Sequence, residues 1–225
     1  METDVQRTAD GELVLIHDTT LARTTDVEEV FPGRAPWNVS DFTAAEIARL
    51  DAGSWFGEEF AGERVPTLAR FLDRLGENGQ RLLLEIKAPA RYPGIEADIL
   101  AELERSGWLA PEPPGTRLVI QSFDAESVRT VHELAPGVET GFIGTPDVED
   151  LPGYAAFADQ INPRYGDLTA AYVAEIQALR GPHGEPVEAH TWTVDDGPTA
   201  RAVAELGVDG IITNFPDVVR AALEG

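Results

Sequence analysis

Two pairs of charged residues sit at a spacing that lets them act together. Glu2 and Asp4 lie in the opening Met-Glu-Thr-Asp-Val, and Glu85 and Lys87 close the apolar run Leu82-Leu83-Leu84-Glu-Ile-Lys. Side chains two apart on a strand point to one face, so each pair is expected to share a face. Three carboxylates converging on one ammonium would be intolerable if they were dry and unpaired. A divalent cation held by oxygens resolves this, and all-carboxylate ligation favours Ca²⁺ or Mg²⁺ over zinc. On spacing alone, Glu2 and Asp4 read equally well as ordinary charges on a frayed terminus. The case for Glu85 and Lys87 is firmer, because two charges end an otherwise apolar strand. Of 17 basic residues, Lys87 is the one lysine, and a compact ammonium is not interchangeable with a planar guanidinium at a phosphate.

His17 ends the apolar run Leu13-Val14-Leu15-Ile16 and precedes Asp18. A histidine at a strand end, next to a strand with metal-ligating carboxylates, is a candidate proton carrier. His132 falls on a predicted helix and His183 in a Gly/Pro loop, so both are expected at the surface. His190 alternates with Trp192 and Val194 on one strand and reads as an interior histidine.

From residue 80 onward, short apolar runs alternate with helical stretches. Predicted strands are Arg81–Lys87, Leu118–Phe123, Thr140–Ile143, Asp159–Asn162, Pro186–Val194 and Gly210–Thr213. Predicted helices are Gly94–Ser106, Ala125–Leu134, Val148–Phe157, Thr169–Leu179, Pro198–Leu206 and Pro216–Leu223. Such alternation means a parallel sheet covered by helices, and active sites of parallel barrels sit where the strands end at their C-terminal face. No glycine-rich phosphate loop follows any strand, which argues against a doubly wound nucleotide binder. The front differs: Met1–Val5 and Leu13–His17 flank an Asp-Gly turn signal. Residues 18–65 are rich in Pro, Gly and polar residues with one short helix, Thr43–Leu50, before the helix Pro66–Leu75. With Met1–Val5 as a strand, seven units are present and an eight-fold barrel needs one more, expected before Met1.

Composition narrows the partners. The chain has 225 residues, 43% of them hydrophobic, and 40 acidic against 17 basic residues give a net charge of −23. This excess disfavours nucleic acid or an anionic membrane surface, both of which need a basic face. The chain has no cysteine, so disulfides and thiolate metal sites are excluded. No apolar run approaches a membrane span, which takes roughly 18 residues, and the first residues lack the pattern of a signal peptide. The expectation is a soluble, cytoplasmic protein as the chain stands, with secretion left open. Oligomerisation is left open too.

These features together resemble the glycerophosphodiester phosphodiesterase family. The resemblance runs through "METDVQRTADGELVLIHDTTLARTTD", "LDAGSWFGEEF" with "VPTL", "LLLEIK", "IQSFD", "INPRY", "TWTVDD" and "GVDGIITNFPD", in family order over nearly the whole chain. It implies a TIM-type (β/α)8 barrel of the phosphatidylinositol phosphodiesterase-like kind, forming one domain over residues 1–225, with a small insertion at about 18–65. It also implies hydrolysis of small-molecule glycerophosphodiesters to glycerol phosphate and an alcohol. Glu2, Asp4 and Glu85 match the family's metal ligands and His17 its second catalytic histidine. Lys87 matches a basic residue on the substrate phosphate, and Trp192 a tryptophan lining the barrel. Asn162 and Gln121 are carried over as further substrate-binding residues. The family's opening His-Arg-Gly strand and following helix do not appear here, and that strand supplies the first catalytic histidine and a phosphate-binding arginine. A misassigned start codon or an incomplete coding sequence is one expectation. The alternative is a catalytically impaired protein that binds phosphodiesters.

Overall fold

The computed structural model describes residues 1–109 and 117–224. The chain divides into two compact units, Met1–Leu118 and Val119–Gly225.

In the first unit, β1 (Glu2–Arg7) and β2 (Leu13–Leu15) form an antiparallel hairpin, with Val5 opposite Leu15 and Arg7 opposite Leu13. Thr8 closes the turn. Its N–H donates to the Glu12 carbonyl at 2.9 Å, and its hydroxyl accepts from the Glu12 N–H at 2.9 Å. Gly11 takes the left-handed conformation there, at φ 94°. The Asp-Gly signal therefore marks a real hairpin.

Between β2 and the next strand lie two short helices, α1 (Val27–Val30) and α2 (Ala44–Ile47), and the longer α3 (Leu68–Asn78). The expected helix Thr43–Leu50 is shorter than its sequence pattern. Thr43 is the N-cap, forming a capping box with Glu46. The chain leaves the helix after Ile47. Likewise Thr67 caps α3, so that helix starts at Leu68 rather than Pro66, and Gly79 ends it in the left-handed region at φ 62°. The segment between residues 18 and 65 has its own apolar centre, in which Leu21, Val27, Val39, Phe42 and Leu50 are completely buried.

β3 (Leu82–Ile86) runs parallel to β1, with Asp4 opposite Glu85, and α4 (Ile95–Arg105) follows it. Leu82, Leu84 and Ile86 are buried, and so are Ile95, Ile99 and Leu103 on one face of α4. Ala88, directly after Lys87, sits at φ 45° and starts a single 3-10 turn at Pro89.

The second unit alternates strand and helix as the sequence pattern requires. It comprises β4 (Leu118–Ser122), α5 (Ala125–Leu134), β5 (Glu139–Ile143), α6 (Leu151–Ala155), β6 (Gln160–Asn162), α7 (Ala170–Gln177), β7 (Glu188–Thr191), α8 (Gly197–Glu205), β8 (Gly210–Ile211) and α9 (Pro216–Glu224). Each strand from β4 to β8 pairs in parallel with the next. Three of its helices are capped by side chains: Asp124 for α5, Thr169 for α7 and Asp196 for α8. Three elements are reduced to about half their expected length. The helix at 148–157 shrinks to α6, whose start coincides with Leu151-Pro152, and proline suits a first turn. The strand expected at 186–194 shrinks to β7, because Pro186 has no N–H to give a ladder and makes only an isolated bridge with Arg180. The last strand, expected over 210–213, shrinks to Gly210–Ile211.

Candidate active site

The parallel register of β1 and β3 brings four charges into one place. Glu2, Asp4 and Glu85 each offer a carboxylate oxygen within 4.8 Å of the others. Lys87 Nζ stands 2.8 Å from Glu85 Oε1 and 3.1 Å from Asp4 Oδ1. Both shared faces expected from the spacing of two are therefore the same face. Asp4 and Glu85 are buried, at 8% and 6% exposure. Asp4 Oδ1 is at ion-pair distance from the ammonium, yet among the described residues no donor meets it in full hydrogen-bond geometry.

The electrostatics show what this costs. Burial first, and then the Asp4 and Glu85 charges, push the Glu2 carboxyl up to about 8, with Lys87 working the other way. Glu85 is likewise raised, by burial and then by Asp4, against the pull of Lys87 and a smaller one from His17. Burial works against the Lys87 charge, but Glu85 and Asp4 outweigh it and its pKa lies above the usual lysine value. Three carboxylates against one ammonium leave an excess of negative charge. An all-oxygen set with one buried oxygen lacking a donor fits a hard divalent cation.

His17 comes just after β2, which ends earlier than expected, at Leu15. Its Nδ1 lies 2.7 Å from Asp18 Oδ1. A carboxylate only accepts, so Nδ1 carries the hydrogen and Nε2 is left for proton exchange. Arg23 grips the same carboxylate from the other side, Nε to Oδ2 at 2.5 Å and Nη2 to Oδ1 at 2.8 Å. Arg23, and His17 after it, hold the Asp18 carboxyl well below the usual range despite partial burial.

The sequence reading missed Gln6, which lies two residues past Asp4 on the same strand. Gln6 is fully buried. Its amide donates to the carbonyls of Ile16 and Asp18, both at 2.7 Å, and its oxygen accepts from Tyr92 Oη at 2.9 Å. One side chain thus ties the His17 segment to the strand that carries Glu2 and Asp4. Continuing the alternation Glu2, Asp4, Gln6 by one more step would have found it. Asp18 and Arg23 were visible as neighbours in His-Asp-Thr-Thr-Leu-Ala-Arg but were given no role.

Gln121, Asn162 and Trp192 meet in the second unit. Asn162 Nδ2 donates to Gln121 Oε1 at 2.9 Å across β5. They can reach because Gly141 lies between them: a Cβ there would stand 3.2 Å from Asn162 Nδ2 and 3.4 Å from Gln121 Cβ. Trp192 Nε1 donates to the Asn162 carbonyl at 2.9 Å, and its ring meets Phe123 edge-on at 5.4 Å. His190 is half-buried, with Nε2 3.0 Å from Glu188. His183 is exposed as expected, though paired with Asp159 at 2.9 Å. His132 departs from the expectation of a surface residue. It is half-buried, with Nδ1 enclosed by the packing around α5.

Comparison with known proteins places the chain in a family. The model of the glycerophosphoryl diester phosphodiesterase family matches residues 1–218. The glycerophosphodiester phosphodiesterase of Caldanaerobacter subterraneus subsp. tengcongensis is 34% identical over 223 residues, spanning 97% of this chain and 83% of that relative. The enzyme of the same name from Bacillus subtilis is 33% identical over 242 residues, spanning 100% of this chain and 76% of that one. The solved structure of an Oleispira antarctica phosphodiesterase, in complex with the product sn-glycerol-3-phosphate, has 24% identity and a TM-score of 0.83, covering 100% of this chain and 84% of its own. The fold class is accordingly α/β of the TIM-barrel type. By the extent of the family match and the identity of these relatives, the chain belongs to the glycerophosphoryl diester phosphodiesterase family, whose members are phosphoric diester hydrolases.

Proposed function

We propose that the chain hydrolyses glycerophosphodiesters to glycerol phosphate and an alcohol, with a divalent cation held by Glu2, Asp4 and Glu85. The observation that carries this reading is the convergence of those carboxylates on Lys87. Ca²⁺ or Mg²⁺ suits the donor set, and when bound such a cation neutralises charge on a phosphate oxygen. Lys87 then supplies an ammonium to the same phosphate. The Coulomb attraction that now goes to Glu85 and Asp4 becomes available to it once their charge is shared with a cation.

His17 carries a proton at Nε2 for the attacking or the departing oxygen, with Asp18 fixing its tautomer and Arg23 fixing Asp18. Gln6 holds the backbone on which this happens. Gln121, Asn162 and Trp192 are assigned to substrate binding, because they form a hydrogen-bonded polar pair beside an aromatic wall. The whole of residues 1–225 is read as one functional domain with an insertion at about 18–65, supported by a single family model running through both compact units. A small molecule is the partner. Among the described residues no helix is long and apolar enough to cross a membrane.

The test is a substrate panel under saturating Ca²⁺ or Mg²⁺. Glycerol phosphate should appear from glycerophosphodiesters, with phosphomonoesters and amides left intact. Cleavage of monoesters or amides in preference to diesters would assign the site to another class of hydrolase.

A further inference from the structure

Beside His17 the first unit contains a cavity of about 300 Å³. Leu15, Ile16 and Val65 form its apolar floor and Trp55 one wall, while His17, Arg23 and Arg64 supply its polar edge. Among the described residues no carboxylate lines it, although the chain carries a net charge of −23. Arg23 is neutralised by its two hydrogen bonds to Asp18. The Arg64 guanidinium donates to the Arg49 carbonyl at 2.8 Å, and among the described residues no carboxylate forms an ion pair with it. The cavity therefore offers one uncompensated positive charge, a tryptophan whose ring the Arg23 guanidinium meets at 5.9 Å, and an apolar floor, next to the histidine assigned to proton transfer.

We propose that this cavity receives the alcohol half of the substrate and selects alcohols that carry an anionic group, with Arg64 as the specificity-determining residue. The inference rests on the phosphodiesterase reading above and adds to it a substrate class. A phosphate or carboxylate on the alcohol finds in Arg64 a bidentate donor. Trp55 and the apolar floor are left for the carbon framework of that alcohol, and a cavity of this size is at the small end of those that hold ligands. A quaternary ammonium gains from the tryptophan face but meets the guanidinium as a like charge, which lowers its affinity.

Two measurements test this. The first reads the cavity without catalysis: titration calorimetry of inositol 1-phosphate, myo-inositol and choline into the protein and into Arg64→Gln. Inositol phosphate should bind at least about tenfold more tightly than either neutral inositol or choline, and Arg64→Gln should abolish that preference. The second compares kcat/KM for glycerophosphoinositol 4-phosphate and glycerophosphocholine in the protein and in Arg64→Glu. The charge reversal should shift the ratio toward choline by about tenfold or more. Equal binding of the three alcohols, or an Arg64 variant that weakens all substrates in proportion, would overturn the inference. Hydrolysis of no diester, with the calorimetric preference intact, would instead overturn the phosphodiesterase reading and leave the cavity assignment standing.

Discussion

Asp4 and Glu85 are direct register partners on parallel strands, and one ammonium, Lys87 Nζ, reaches both at 3.1 and 2.8 Å. Eighty residues of chain separate the two carboxylates, yet their separation in space is set by one backbone register. The lysine offsets part of the cost of that juxtaposition.

Removing it should expose the cost. Breaking a buried pair by deleting one partner destabilises by about 3–5 kcal/mol. The Lys87 side chain keeps 17% exposure, so Lys87→Met should lose somewhat less, about 2–3 kcal/mol by the same principle. Chemical denaturation in chelator measures the loss. Added Ca²⁺ or Mg²⁺ should stabilise the variant more than the wild type, since the cation then has no ammonium to compete with. Equal stabilisation of both would separate Lys87 from the cation site.

The raised Glu2 pKa gives a pH signature with a definite sign. Folding lifts this carboxyl from 4.5 to about 8. The folded state therefore holds a proton that the unfolded chain has released, and the stability it confers is full below pH 4.5 and lost as pH rises through about 8. In chelator, the melting temperature should fall between these limits, and Glu2→Gln should flatten the fall. The variant is the needed control because His183, raised by Asp159 against its own burial, acts with the same sign in part of that window. A saturating divalent cation should flatten the profile as well, because ligation replaces the proton. A wild-type profile in chelator no steeper than that of Glu2→Gln would remove the burial of Glu2 from the account.

His17 and Gln6 should separate kinetically. His17→Ala is expected to lower turnover by about 10² to 10⁴, with little change in KM, as for a general acid or base. Gln6→Leu keeps every reacting group but leaves the carbonyls of Ile16 and Asp18 without their donor. It should lower turnover by a smaller factor, about tenfold, by misplacing His17. Retention of a third or more of the turnover by His17→Ala would exclude the proton-transfer role.

Phe42 reports on the insertion. It is fully buried and meets Phe31 edge-on at 5.3 Å, within the same apolar cluster as Ile16. Phe42→Ala should cost about 3–5 kcal/mol in urea denaturation. A loss below about 0.5 kcal/mol, the range of a surface substitution, would show that this segment is not cooperative with its surroundings.

Much of this was legible in the residues themselves, and the reason is local. Glu85 and Lys87 could be paired because a strand puts alternate residues on one face, and the hairpin before them because Asp-Gly has few other uses. The strand–helix alternation after residue 80 was readable from period alone. The convergence of Asp4 and Lys87 was expected too, but the register that produces it, Asp4 opposite Glu85, was not readable, since it depends on which strand pairs with β3. Gln6 was overlooked for a related reason. Its partners are backbone carbonyls of Ile16 and Asp18, and a carbonyl leaves no mark in the sequence. The cavity edged by Arg64 belongs to the same class, since its walls come from residues some fifty positions apart that no motif links. Element ends drifted where proline or a capping threonine decided the boundary, as at Thr67 and Pro186.

The central claim is that Glu2, Asp4 and Glu85 hold the cation on which glycerophosphodiester hydrolysis depends. The most direct measurement is the rate of glycerol phosphate release as Ca²⁺ or Mg²⁺ is titrated into chelator-treated protein, for the wild type and for Glu85→Gln. The account predicts negligible release without cation, a saturable rise with it, and a half-maximal concentration at least about tenfold higher in Glu85→Gln, since a charged ligand is lost while shape is kept. Full release in chelator, or identical titration curves for the two proteins, would contradict it.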